Sequence, residues 1–116
     1  MVNLFFNIDG KDLAYKIISQ EKAKELMETQ EDIVILDVRT EEEFLNGHIL
    51  GAINIPNESI DVNREIKELP DKEKTLLIYC RSGYRSKLSA EKLAILGYKN
   101  IYEFGGINTW KYQIVK

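Results

Sequence analysis

The chain's reactive groups concentrate in one polar stretch, Cys80-Arg81-Ser82-Gly83-Tyr84-Arg85-Ser86. Cys80 is the only cysteine among 116 residues. The thiolate is the reactive form of a cysteine, and a free thiol titrates at about 8.5. Arg81 and Arg85 bring two permanent cations within five residues of that sulfur, and Lys87 adds a third nearby. Ser82 and Gly83 are small enough for backbone amides to converge, and Gly83 can take a positive φ. Ser86 suits the N-cap of a following helix. If a strand enters this loop and a helix leaves it, the free N–H groups of the first turn point inward with roughly half a positive charge. Successive loop amides add a nest at the same point. Such a setting lowers a thiol pKa by about one to several units and suits it to covalent, nucleophilic chemistry. The alternative is an inert core cysteine followed by solvated arginines. The order of cysteine, glycine, two arginines and helix start favours catalysis.

Stepping outward, Thr75 to Tyr79 (Thr-Leu-Leu-Ile-Tyr) is an apolar run typical of a strand buried on both faces. A helix is expected from about Ser86 to Leu96, with Ala90, Leu93, Ala94 and Gly97 on one face and Gly97 as C-cap. The loop therefore sits beyond the carboxyl end of a buried strand, where open α/β sheets bind ligands. Ile33-Val34-Ile35-Leu36 reads as a second buried strand, Ala52 to Ile55 as a short one stopped by Pro56, and Ile101 to Phe104 as the last. Ser19 caps a helix ending near Thr29, and Thr40 with Glu43 forms a capping box for a short acidic helix that Gly47 stops. At least the second half of 59–69 is expected to be helical, on Ile60, Ile66 and Leu69. Gly105-Gly106 should turn the chain into a short helix holding Trp110. At the N-terminus, Leu4, Phe6 and Ile8 alternate, as do Leu13, Tyr15 and Ile17, around Asp9-Gly10, which predicts a β-hairpin. Strands alternating with helices predict an α/β fold with a parallel sheet covered on both faces.

Length 116 fits one domain, with apolar material for one core. A net charge of −3 and a pI of about 5.2 argue against nucleic-acid or anionic-membrane binding. There is no apolar run of about 18 residues to span a membrane. Asn3, Asn7 and Asp9 interrupt any secretory pattern, so a cytoplasmic location is expected. A single cysteine forbids an intrachain disulfide and a cysteine-rich zinc site, and no His/Asp/Glu cluster has metal-ligand spacing. Asp37 and Arg39 follow a buried strand on the same sheet edge as Cys80, and a structural pairing is favoured for them. His48, the only histidine, is not needed as a base if the loop already forms a thiolate. Tyr84 could shape the pocket mouth, Trp110 belongs to the core, and Glu41-Glu42-Glu43 suits a solvated helix N-terminus.

From Ile17 to Trp110 the chain resembles the rhodanese-like family. The resemblance is carried by Leu36-Asp37-Val38-Arg39 with Glu42-Glu43-Phe44, Gly47-His48-Ile49-Leu50-Gly51-Ala52 with Asn54-Ile55-Pro56, Ile78 through Ser86, and Gly105-Gly106 with Trp110. It implies a three-layer sandwich with a mostly parallel five-stranded sheet, to which residues 1–14 are an added extension. Cys80 would be a persulfide-bearing nucleophile, and the backbone from Arg81 to Ser86 would cradle the transferred sulfur. Arg81 and Arg85 would hold an anionic donor, or lower the Cys80 pKa. The donor would be thiosulfate or another protein's persulfide, and the acceptor an external thiol or cyanide, with no cofactor. Related phosphatases and arsenate reductases place five residues between Cys and Arg. Here only four separate Cys80 from Arg85, which suits a sulfur-sized group. Some thiosulfate-active members carry a further arginine on the helix after Asp-x-Arg, where this chain has Glu41-Glu42-Glu43. The competing implication is a non-catalytic rhodanese-like module that docks a partner.

Overall fold

The computed structural model describes residues 5–6 and 12–116, with side chains from residue 14 onward. In chain order the elements are β1 (Phe5–Phe6), β2 (Asp12–Leu13), β3 (Lys16–Ile17), α1 (Gln20–Thr29), β4 (Ile33–Asp37), α2 (Glu41–Leu45), β5 (His48–Ile49), β6 (Ala52–Asn54), β7 (Thr75–Cys80), α3 (Tyr84–Ile95), β8 (Asn100–Gly106) and β9 (Ile114–Val115). Short 3₁₀ turns occupy Asn57–Ser59 and Ile107–Thr109. Five strands form one sheet in the order β3-β8-β7-β4-β6, every pair parallel.

The central strand β7 explains both the layering and the site. Its side chains alternate across the sheet. Leu76, Ile78 and Cys80 join the cluster formed with Ala90 and Leu93 of α3, while Leu77 and Tyr79 join Ala23 of α1, Phe104 and Trp110 on the other face. Among the described residues the buried apolar side chains thus divide into two clusters, one per face, rather than the single core expected from composition. All of Leu76 to Cys80 is buried, which is why the run shows no polar alternation. Trp110 lies edge-on to Tyr112 and tilted against Phe104, inside the second cluster.

Local signals set most boundaries. Ser19 accepts from Lys22 N–H at the start of α1, and the Thr40–Glu43 capping box is present at α2. Three expectations fail. Residues 60–69 are not helical; beyond Asn57–Ser59 they run through turns to β7. The Asp61 carboxylate accepts from Asn63 N–H, and Asp71 from Glu73 N–H, so side chains capture the backbone donors a helix would need. Ile60 and Leu69 still anchor this segment in the core. Second, Ser86 is not an N-cap: α3 begins at Tyr84, capped by Gly83 at φ 112°, and Ser86 lies buried in its first turn. Third, the expected second hairpin strand divides. Asp12–Leu13 pairs antiparallel with Phe5–Phe6, whereas Lys16–Ile17 joins the main sheet beside Tyr102 and Glu103. Tyr15 turns into the core between them, leaving Ile17 55% exposed. The expected Asp9-Gly10 turn lies outside the described residues. The sequence also gave no sign of β9, which pairs with β5.

Candidate active site

Parallel pairing fixes where β7 ends. Ile78 lies opposite Glu103, and after a bulge Cys80 lies opposite Gly106. Gly106 must be glycine, because a side chain there would collide with the Arg81 carbonyl and Ser82. Asn108 N–H donates to the Arg81 carbonyl at 3.2 Å, and Gln20 Nε2 donates to the Gly106 carbonyl at 2.8 Å. The loop after Cys80 is therefore backed by the end of β8, which α1 pins in turn.

Cys80 is 1% exposed, so burial alone would make it an inert core thiol. Its sulfur is nevertheless surrounded by donors. Gly83 N–H points to Sγ at 3.0 Å, and the Ser86 hydroxyl oxygen lies 3.3 Å away. Burial pushes the thiol up, but the Ser86 hydroxyl and the N–H groups of Ser86, Gly83 and Ser82 outweigh it, and the pKa falls below the ordinary value. The positive φ of Gly83 permits this turn, as a side-chain-bearing residue would not. The floor of the loop is an oriented set of backbone donors.

The charged side chains behave differently. Arg85 donates to Glu43 of α2 through both terminal guanidinium nitrogens, Nη1 and Nη2, at 2.7 and 3.0 Å. The Arg85 hydrogen bond, against burial and with help from Thr40, lowers the Glu43 carboxyl to about 2. Arg81 is exposed and makes no ion pair among the described residues. Ser82 is exposed, and Tyr84 projects at the loop surface, 73% exposed. Lys87 reaches back to the Gly83 carbonyl at 3.3 Å. So residues 80–86 run from the end of β7 through a tight turn into the first turn of α3. Of these, only the Gly83 N–H and the Ser86 hydroxyl stand at hydrogen-bonding distance from the sulfur, while the Ser82 and Ser86 N–H groups add to the lowering of its pKa.

Asp37 and Arg39 pair with each other, both buried, with Arg39 Nη2 2.7 Å from Asp37 Oδ2. Arg39 also donates to the Gly47 carbonyl, and Tyr79 donates its hydroxyl proton to Asp37. This network fixes the start of α2, and hence Glu43. His48 bonds the Phe44 carbonyl through Nδ1 and stacks on the Phe44 ring. Sequence reasoning passed over Glu103, which is fully buried. Ser86 donates its hydroxyl proton to Glu103 Oε2, and Gly105 N–H donates to the same oxygen at 3.0 Å. The signal was a lone carboxylate in the apolar run Ile101 to Phe104.

Among the described residues, no three His, Cys, Asp or Glu side chains gather to hold a metal ion, and no helix is long and apolar enough to cross a membrane. A groove of about 620 Å³ along residues 54–68 includes nothing from the 80–86 loop.

The family model of the rhodanese-like domain matches residues 19–113. The thiosulfate sulfurtransferase GlpE of Coxiella burnetii is 39% identical over 100 residues, covering 85% of this chain and 90% of that protein. The thiosulfate sulfurtransferase PspE of Escherichia coli is 36% identical over 72 residues, covering 62% and 68% respectively. Among solved structures, an E. coli rhodanese with anions superposes with a TM-score of 0.65 at 33% identity, covering 72% of this chain and 98% of that one. A rhodanese-related protein of Thermoplasma volcanium gives 0.72 at 30% identity, covering 87% and 98%.

Proposed function

Since the chain belongs to the rhodanese-like domain family, we propose that it is a sulfurtransferase carrying sulfane sulfur as a persulfide on Cys80. The observation that carries this reading is the convergence of the Gly83 N–H and the Ser86 hydroxyl on the Cys80 sulfur, with the neighbouring Ser82 and Ser86 N–H groups helping to lower its pKa. The thiolate attacks the outer sulfur of the donor. A sulfur–sulfur bond forms to Cys80 as the donor's own sulfur–sulfur bond breaks, and sulfite or a thiolate leaves with the electron pair. The same amides then hold the anionic terminal sulfur, as oriented dipoles hold any developing anion. Cyanide or an acceptor thiol takes that sulfur and returns the thiolate, in ping-pong order. With no second cysteine in the chain, the acceptor comes from outside.

The charge layout speaks to the donor. Arg85 is engaged by Glu43, which leaves Arg81 as the exposed arginine of the loop. A free dianion such as thiosulfate gains little from one solvated cation. A persulfide borne on a larger thiol needs less charge recognition and is the favoured donor, with thiosulfate as a weaker one.

Intact mass after thiosulfate treatment tests the reading. One added sulfur atom that cyanide removes, with thiocyanate release abolished in Cys80→Ser, is the expected result. The burial of Cys80 favours a second reading, a docking module without catalysis. An unchanged mass with thiosulfate and with a low-molecular-weight persulfide would establish that module instead.

A further inference from the structure

The Ser86 hydroxyl has one proton and two groups that compete for it. Cys80 Sγ lies 3.3 Å away on one side. Glu103 Oε2 lies within hydrogen-bonding distance on the other. A third acceptor, the Gly105 carbonyl, is at the outer limit of 3.5 Å. When the hydroxyl points at Glu103 it accepts from the Cys80 thiol, which keeps its proton. When it points at sulfur it stabilises a thiolate, and Glu103 must then supply the proton of their shared bond. The two arrangements differ only in where one proton sits.

Glu103 is poorly provided for as a permanent anion. It is fully buried, and Oε1 has no hydrogen-bond partner among the described residues. Lys87 Nζ stands 3.6 Å from that oxygen, on a half-exposed side chain. A fixed negative charge two hydrogen bonds from the sulfur would oppose a thiolate and a persulfide alike. A carboxyl group that is neutral whenever the sulfur is charged would not.

The geometry points to Glu103 as a positioning residue that takes up the Cys80 proton through the Ser86 hydroxyl, an inference that rests on Cys80 being the nucleophile. The S–H bond breaks as its proton passes to Ser86 Oγ. The Ser86 proton passes to Glu103 Oε2, and the electron pair stays on sulfur. The three groups keep one negative charge between them, and nothing is oxidised. Their titration belongs to the set rather than to either end. While one proton is shared along the set, a constant fraction of thiolate persists. The charged and titratable groups facing this set are Lys87 from α3 on Glu103, the Tyr15 phenol ahead of β3, which Glu91 also influences, and Arg85 on the sulfur side, paired with Glu43 of α2.

The test is the rate of Cys80 alkylation by iodoacetamide, read by intact mass from about pH 5 to about pH 9. The wild type, Glu103→Gln and Ser86→Ala are compared, each checked for a cooperative melt. The wild type should show two inflections with a plateau between them. Glu103→Gln should show one, and should react about tenfold more slowly than wild type at the acid end. At the alkaline end it should react at least as fast. Ser86→Ala breaks the bridge but keeps the carboxylate, so it should lose the acid-side reactivity too, and it carries the test if Glu103→Gln does not fold. A Glu103→Gln profile faster at every pH would mean the carboxylate only repels, and wild-type-shaped profiles in the folded variants would make it a structural filler. Either result overturns the inference. Alkylation needs no sulfur donor, so a failed persulfide assay beside a two-step profile would count against the sulfurtransferase reading alone.

Discussion

Neutralising Glu43 isolates what the loop arginines do for an anionic donor. In the folded chain Arg85 and Glu43 form a two-pronged ion pair at 2.7 and 3.0 Å, with side chains 24% and 29% exposed. Hydrogen bonds between charged groups are strong, but partial exposure screens them, which leaves about 1 to 2 kcal/mol for this pair. An anion that recruits Arg85 must displace or share that partner. Glu43→Gln removes the competing charge while keeping the shape and the capping contact to Thr40. The thiosulfate KM in the cyanide assay should then fall about 5- to 30-fold, the factor matching about 1 to 2 kcal/mol. The turnover rate should change less, because the amides around the sulfur are untouched. An unchanged or raised KM would refute the claim that Glu43 withholds Arg85 from the donor. Stability gives an independent check. The folded-state pKa of Glu43 is lowered from 4.5 to about 2, with the Arg85 hydrogen bond as the first cause. A depressed carboxyl stabilises the fold above its unfolded pKa, and the contribution disappears as pH falls through the folded one. The wild type should therefore be the more stable at neutral pH, and the two proteins should converge as pH falls from 4.5 towards about 2.

Two further substitutions probe the frame around the loop. Gly106→Ala drives a methyl group into the Arg81 carbonyl, so the urea midpoint should drop by the equivalent of about 1–3 kcal/mol or more, with persulfide formation lost; a wild-type midpoint would show that β8 does not back the loop. Asp37→Asn leaves the buried Arg39 without its charge partner and should cost about 3–5 kcal/mol in urea unfolding. Because that pair acts through the frame, the pH profile of Cys80 alkylation should keep its shape in the folded variant.

The fold was largely written in local patterns. The apolar runs of β4 and β7, the caps of α1 and α2, and the strand–loop–helix order around Cys80 each follow from composition and short spacing. What escaped was decided by distant partners. Residues 60–69 carry helix-like apolar spacing, yet Asp61 and Asp71 bind their own backbone, and Ile60 and Leu69 are held by the core rather than by a helix. Tyr15 breaks the expected hairpin strand because the interior holds its ring, a fact of packing that alternation cannot show. The residues of the loop were readable as a set, but not which of them face the sulfur. Ser86 reads as a cap and is instead a buried hydroxyl beside Cys80, because glycine at 83 starts the helix early. Glu43 looked like one of three solvated carboxylates until the fold brought it to Arg85, 42 residues away.

These contacts separate two forces that could make the sulfur reactive. From sequence, the main-chain donors of the loop and its cations both pointed to thiolate stabilisation. In the folded chain Arg85 faces Glu43 and Lys87 reaches to the Gly83 carbonyl and Glu103, so two of the three nearby cations are engaged away from the sulfur. The third, Arg81, is exposed to solvent, where a unit charge some 4 Å from its partner is worth only about 1 kcal/mol. The backbone donors suffer no such cancellation. They are fixed by the turn at Gly83 and by the start of α3, and they sit where water does not compete, since Cys80 is 1% exposed. Hydrogen bonds to an ion in such surroundings are stronger than in water and need no reorganisation when the charge appears. It follows that replacing loop cations should mainly change how donors are captured, whereas distorting the backbone at Gly83 or Gly106 should abolish the thiolate itself.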